Sequence, residues 1–350
     1  MNWMKCVLAL VLCLSLAILP GIGVDGFPKT IVDSANRTII IEKPVEKIIP
    51  MNSWAYEPIF ILGATEKLIG VTNTAQDEWS EVIPAMKEKT TIGPWSEMDY
   101  EKVIKLRPDV VLVGFGNIKT AEEKLNHADI KVIYLNFKDN GTSLQTLANI
   151  MGPNEENSAG EFITWKTKYE DQLRNIICEI GSEDRVRVYG ESNYQLWYAG
   201  GNESGLNRAI SAAGGRNIAS NLSGSFLEVD PEWVLKENPQ VIVMAETNTG
   251  PESFTGYTKN DTNAAVHYLQ EIANRTAINK TDAVKMNKIF AINGYLTEVG
   301  TRNFIGAYYL AKWFYPEKLK EIDPDAIHKE YFERWLRATY RGIWAYPKTS

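Results

Sequence analysis

Two acids in this chain occupy matching places. "EKVIKLRPDVVLVG" (101–114) and "EWVLKENPQVIVMA" (232–245) share Glu, Val, Lys, Pro and Val in register, and an aspartate precedes each opening glutamate by two positions, Asp99 before Glu101 and Asp230 before Glu232. Such spacing puts each glutamate in the first turn of a short helix. There Asp caps the free N–H groups and Glu meets the positive end of the helix dipole. Pro231 at the first helical position fits the same account. The alternative chemistry is recognition: two exposed carboxylates, one per repeat, presented to two copies of a basic site on a symmetric partner.

A second set of residues suits ligand contact. Trp54 and Tyr56 in "NSWAYE", Trp95 in "GPW", Tyr257 in the loop 250–258, and Tyr295 and Arg302 in "NGYLTEVGTRNF" follow strands or fall in loops. An α/β cleft is built from such segments. Aromatic walls with few polar anchors suit a bulky organic ligand. The forked donors of arginine suit carboxylate or catecholate oxygens. Each of these residues has a packing alternative, and for Trp197 and Tyr198 packing is the preferred reading.

Other chemistries lack their residues. The three histidines, His127, His267 and His328, fall in unrelated elements, so a bare zinc or manganese site is not expected. No G-x-S-x-G, G-x-x-x-x-G-K or H-E-x-x-H occurs, and Cys178 is expected inside an apolar helical stripe, so an enzyme is not expected. Net charge is −7 and no basic run appears, which argues against nucleic acid.

The elements that must position these residues repeat. "RTIIIEKPVEKIIPMNS" (37–53) reads as two strands split by a Pro turn, 55–72 as helix then strand, 109–115 as a buried strand and 121–137 as helix then strand. Phe162, Trp165, Tyr169, Leu173, Ile176, Ile177 and Ile180 recur at helical spacing in one uninterrupted stretch. The pattern then restarts, with strands at 185–192 and 285–294, helices at 206–219, 303–316 and 325–340, and the second glutamate unit between. Strands alternating with helices imply parallel sheets. The expectation is an α/β chain of two Rossmann-like lobes joined by one long connecting helix, with a ligand cleft between the lobes. The expected boundaries are 27–152, 153–181 and 182–350, and 350 residues suffice for two cores.

The N-terminus reads as an address. Lys5 precedes "VLALVLCLSLAIL" (7–19), and a small-residue, helix-breaking stretch follows, so 1–26 is expected to be a secretory signal peptide, with an uncleaved anchor as the alternative. Neither Cys6 nor Cys13 sits where a lipid-attachment cysteine would. Asn-x-Ser/Thr sequons at Asn36, Asn140, Asn202, Asn221, Asn260, Asn274 and Asn279 favour an exported, glycosylated chain.

Several of these stretches together resemble the substrate-binding proteins of ABC importers for ferric siderophores, haem and cobalamin, the class III periplasmic binding proteins. They are "VDSANRTIIIEKPVEKII" (32–49), "ILGATEKLIGVT" (61–72), "IGPWSEMDYEKVIKLRPDVVLV" (92–113), "AISAAGGRNIA" (209–219), "AVKMNKIFAI" (283–292) and "GTRNFIGAYYLAKWFYPE" (300–317). The resemblance runs from about 28 to 340. It implies an extracytoplasmic protein without cofactor that hands a metal chelate to a homodimeric permease with its ATPase, touching the membrane only through that permease or a signal anchor. It implies that Glu101 and Glu232 dock on permease arginines. Trp95 stands where cobalamin-binding relatives place an aromatic contact, and an arginine near Arg302 meets the anionic ligand in some siderophore-binding relatives. A ferric siderophore-type complex is the expected ligand, with a corrinoid as the alternative. A glycosylated surface adhesion protein is the third reading, and it leaves the repeat unexplained.

Overall fold

Runs of Val and Ile without polar alternation need cover on both faces, and Val110–Val113 is buried at every position. The computed structural model describes residues 26–95, 97–125, 127–138, 141–247 and 253–348. The expected signal peptide, apart from Gly26, and the sequon at Asn140 lie outside the described residues.

The first lobe opens with an antiparallel hairpin of β1 (Lys29–Val32) and β2 (Thr38–Ile41). β3 (Ile48–Pro50), β4 (Val110–Val113) and β5 (Lys131–Tyr134) then form a parallel sheet in that order. Around it run α1 (Tyr56–Ile61), α2 (Asn73–Trp79), α3 (Tyr100–Leu106), α4 (Ile118–Leu125) and α5 (Thr142–Met151). The strand expected before residue 72 is reduced to isolated bridges, Ile48 with Leu68 and Val71 with Thr91.

The long periodic stretch is α6 (Pro153–Ile177), 25 residues and so about 37 Å of helix. Pro153 occupies its first turn, where no N–H is needed. Its stripe locks onto the C-terminal part of the chain. Phe162 packs edge-on to Tyr331 and Trp335. Trp165 and Tyr169 both donate to Glu330, at 2.6 and 2.7 Å. Cys178 departs from expectation: it is exposed at the end of this helix, one step of rotation beyond the buried Ile177.

The second lobe carries β6 (Arg187–Ser192), β7 (Tyr198–Gly200), β8 (Arg216–Asn217), β9 (Phe226–Glu228), β10 (Val241–Glu246), β11 (Ile289–Asn293) and β12 (Ala345–Tyr346). Strand order is β12-β11-β10-β6-β7-β9, with β8 paired to β6. The central pairs β6–β10 and β10–β11 are parallel, as expected. The flanks β6–β7, β7–β9 and β11–β12 are antiparallel, so the sheet is mixed. Its helices are α7 (Gly205–Ala212), α8 (Pro231–Glu237), α9 (Asn263–Asn274), α10 (Asp282–Lys285), α11 (Tyr295–Glu298), α12 (Asn303–Phe314) and α13 (Pro324–Glu330). The closing helix expected over 325–340 instead passes into a π-helical turn at Tyr331–Leu336, and Arg337 ends it in the left-handed conformation.

The repeated unit folds alike twice. Asp99 caps α3 by accepting from the Lys102 N–H at 2.9 Å, and Asp230 caps α8 by accepting from the Glu232 N–H at 2.7 Å. Arg107 and Asn238, at the same offset, end both helices with positive φ and turn the chain into β4 and β10.

Candidate ligand-binding cleft

A cavity of about 610 Å³ opens between the lobes. One wall is α2 and the turn after it, bringing Asp77, Glu78, Trp79 and Glu81. The opposite wall comes from the second lobe: Tyr257, Asn293, Tyr295, Arg302, Phe332 and Trp344. The volume is within the usual range for organic ligands. Five aromatic rings share the surface with polar groups from both walls, among them Asp77, Glu78, Thr255, Lys259, Asn293 and Arg302.

Arg302 is the buried cation of the second-lobe wall. Its side chain is buried, and its guanidinium lies 5.4 Å from the Tyr295 ring, 5.9 Å from Trp344 and 6.0 Å from Trp79. This is a three-sided aromatic cage that suits a cation. The charge inside it is already matched, because Glu57 of α1 forms an ion pair with it, Oε2 to Nη2 at 3.1 Å. Glu57 is itself buried and receives the Thr301 hydroxyl at 2.6 Å and the Tyr331 hydroxyl. One first-lobe carboxylate thus takes two second-lobe hydroxyl donors and one second-lobe ion pair. Arg302 Nε has no protein partner.

Glu78 faces the same group. Burial pushes its carboxyl up to about 7; Arg302 pulls against that, Glu57 adds to it, and the Tyr295 hydroxyl stands beside it as a donor. Burial, with the nearby Glu78 charge, raises the Tyr295 phenol in turn.

The cavity wall has support behind it. Glu246, buried at the end of β10, accepts from the Phe254 N–H at 3.0 Å and the Thr255 N–H at 2.8 Å. Asn293 donates to the Thr255 hydroxyl at 3.0 Å. These bonds fix the segment that presents Thr255 and Tyr257 to the cavity. Behind Phe332 and Trp344 lies the fully buried His328, 5.2 and 4.9 Å from their rings. Burial drives its imidazole well below the ordinary range, so it stays neutral.

Of the aromatic and basic residues expected at the site, Tyr257, Tyr295 and Arg302 come together on the cavity. Tyr257 stacks on Phe332 at 5.8 Å, under the Arg341 guanidinium. Trp54 is half-buried beside the cavity, edge-on to Tyr295 at 6.0 Å, with Lys138 over its face at 4.7 Å. Tyr56 does not face the cleft. It is fully buried, its hydroxyl donating to the Pro50 carbonyl and accepting from the Thr72 N–H, both at 2.8 Å. Trp95 is 60% exposed and does not line the cavity. Glu101 and Glu232 are exposed in the first turns of α3 and α8.

Sequence reasoning missed Glu57, Glu78, Trp79, Thr255, Asn293 and Trp344. Glu57 lay within "NSWAYE", but nothing local marks a buried partner 245 positions away at Arg302. Glu78 and Trp79 close a short helix, where an aromatic reads as packing. Among the described residues no group of three or more His, Cys, Asp or Glu could hold a metal ion, and no helix is long and apolar enough to cross a membrane.

Comparison with known proteins gives the lineage. A family model described as "Periplasmic binding protein" matches residues 53–296. A cobalamin-binding protein of Halobacterium salinarum is 25% identical over 276 residues, covering 77% of this chain and 69% of that one. The TroA-like periplasmic binding protein FepB of Veillonella parvula superposes with a TM-score of 0.76 at 21% identity, over 91% of this chain and 99% of that one. The molybdate-binding protein MolA of Haemophilus influenzae does so with a TM-score of 0.71 at 18% identity, over 90% and 99%.

Proposed function

The chain belongs to the periplasmic binding protein family, and we propose that it is the extracytoplasmic substrate-binding component of an ABC importer, capturing an organic metal chelate and delivering it to a membrane permease. The observation that carries this is the cleft itself: about 610 Å³ between two lobes, with Trp79, Tyr257, Tyr295, Phe332 and Trp344 interleaved with polar groups such as Glu78, Asn293 and Arg302. A bare metal ion or a small oxyanion would leave most of that surface unmatched, whereas a chelate with an organic shell fills it. Iron complexed by a siderophore-type ligand is the first reading. A corrinoid is the second, favoured by the similarity to a cobalamin-binding protein over 276 residues.

The same reading assigns 1–26 to a secretory signal, 27–152 and 182–350 to the two lobes and 153–181 to the connecting helix. Trp54, beside the cavity, and Trp95, exposed and outside its lining, are proposed as further ligand contacts. Glu101 and Glu232 are proposed as the permease-docking acids. Both are exposed and both head a short helix in equivalent places of the two lobes, as docking on a homodimer requires.

Purification after native expression, followed by an absorption spectrum and metal analysis, tests the ligand. Iron with a charge-transfer band supports the first reading and cobalt with a corrin spectrum the second. A folded protein that yields neither, and binds neither class in titration, refutes chelate capture. Docking is tested by Glu101→Arg with Glu232→Arg. Each acid contributes only about 0.3–1 kcal/mol to its helix, so the double variant should fold and bind ligand normally yet fail to support uptake. Uptake at the parental rate refutes it.

A further inference from the structure

Of the two cationic residues lining the cleft, Lys259 and Arg302, Arg302 is the buried one, and the protein has already given it a counter-ion. Arg302 is held by Glu57 at 3.1 Å, with both side chains buried and Glu57 fixed by Thr301 and Tyr331. The facing wall is acidic: Asp77, Glu78 and Glu81 all line the cavity from α2 and its following turn. Of these, Glu81 is tied to Lys87 at 2.9 Å and to Arg341 at 3.5 Å. Glu78 is the one that interacts with Arg302, Glu57 and Tyr295.

We propose that Glu78 is the specificity-determining acceptor of this cleft, and that the ligand it selects is an uncharged metal chelate carrying peripheral amide N–H or similar donors, not a polyanionic one. This rests on reading the cleft as a chelate site. A polyanion would bring its charge against Glu57 and Glu78, with Arg302 already matched. Like charges in a partly desolvated site are strongly unfavourable. An amide costs no such repulsion, and its N–H gives Glu78 a charge-assisted hydrogen bond. The charged and titratable groups around Glu78 are Arg302, Glu57, Tyr295 and Tyr56, with Asp77, Glu81, Tyr257 and Lys259 on the same cavity. The raised proton affinity of Glu78 agrees with this balance: burial disfavours its charge, and a hydrogen-bond donor from a ligand would favour it.

The test uses two pairs of probes that differ in charge. One is a neutral iron(III) tris-hydroxamate with a trianionic iron(III) tris-catecholate. The other is cyanocobalamin with the same corrinoid after its side-chain amides are hydrolysed to carboxylates. Affinities are measured by calorimetry on the full-length protein and on Glu78→Gln. Within whichever pair binds, the neutral member should be favoured by roughly tenfold or more, and Glu78→Gln should narrow that gap. A wild-type preference for the anionic member, or an unchanged gap in a folded Glu78→Gln protein, overturns the proposal while leaving chelate capture standing. Binding of none of the four by the folded protein overturns chelate capture itself and this inference with it. Should Glu78→Gln fail to fold, the wild-type preference within whichever pair binds decides alone. The gap should shrink as pH falls from about 8 to about 6 and Glu78 gains its proton; a constant gap is contrary to the proposal.

Discussion

Replacing Glu57 with alanine should unravel a knot that joins the two lobes. Glu57 is 2% exposed and meets three groups of the other lobe: the Arg302 guanidinium as an ion pair at 3.1 Å, and the hydroxyls of Thr301 at 2.6 Å and of Tyr331 as hydrogen-bond donors. Its removal leaves a guanidinium buried without its counter-ion, and that alone costs about 3–5 kcal/mol. The two hydroxyls lose their acceptor as well, at about 1 kcal/mol each if water does not reach them. Against a typical stability of roughly 5–15 kcal/mol, Glu57→Ala should be severely destabilised in urea unfolding followed by tryptophan fluorescence. The informative variant is the double, Glu57→Ala with Arg302→Met. Once the orphaned charge is gone the penalty should fall, because removing both members of a buried pair is far less costly than removing one. The double should therefore be no less stable than Glu57→Ala alone. A single-variant loss below about 1 kcal/mol, or a double-variant loss equal to the sum of the two singles, would refute the argument, since contacting residues must couple if the pair is real.

Three further outcomes are expected. Tyr56→Phe leaves the buried Thr72 N–H without its acceptor and should cost about 1–3 kcal/mol while chelate affinity, by titration, stays unchanged; a weakened affinity in the folded variant would return Tyr56 to the cleft. A Cβ on Gly306 would stand 2.0 Å from the Leu296 carbonyl, whereas one on Gly160 meets nothing within 4 Å; Gly306→Ala should lower the melting temperature sharply and Gly160→Ala should raise stability by about 0.5–1 kcal/mol, and equal effects at the two sites would contradict the packing. The Glu78 carboxyl is raised from 4.5 to about 7 in the folded protein, so the folded state holds its proton more tightly than the unfolded chain. Its contribution is fully present below pH 4.5 and lost as pH rises through about 7. Glu78→Gln should therefore gain on wild type between those pH values in chemical denaturation, and a difference independent of pH would refute the raised proton affinity of Glu78.

What the sequence determined by itself were the features that short-range chemistry specifies. The stripe from Phe162 to Ile180 needs only its own periodicity to be a helix, and α6 spans Pro153–Ile177. The Asp-x-Glu starts at 99–101 and 230–232 needed only capping rules, and both caps form. Apolar runs such as Val110–Val113 announced buried parallel strands. The pairing of distant groups was left to tertiary structure. No rule of spacing tells that Glu57 meets Arg302 and Tyr331, or that Glu78 and Trp79, on a short helix, face Tyr295 across a cleft. Tyr56 and Tyr257 look equivalent in sequence, as aromatics in or near loops, yet one ends in the core with both sides of its hydroxyl taken and the other on the cavity wall. The π-helical turn at Tyr331–Leu336 was equally hidden. It brings Phe332 to the cavity and Tyr331 to Glu57, a gain from long-range contacts that outweighs local helix preference. Periodicity acts over a few residues and is written in the chain, whereas burial and ion pairing depend on which lobe surfaces meet, and only the folded chain decides that.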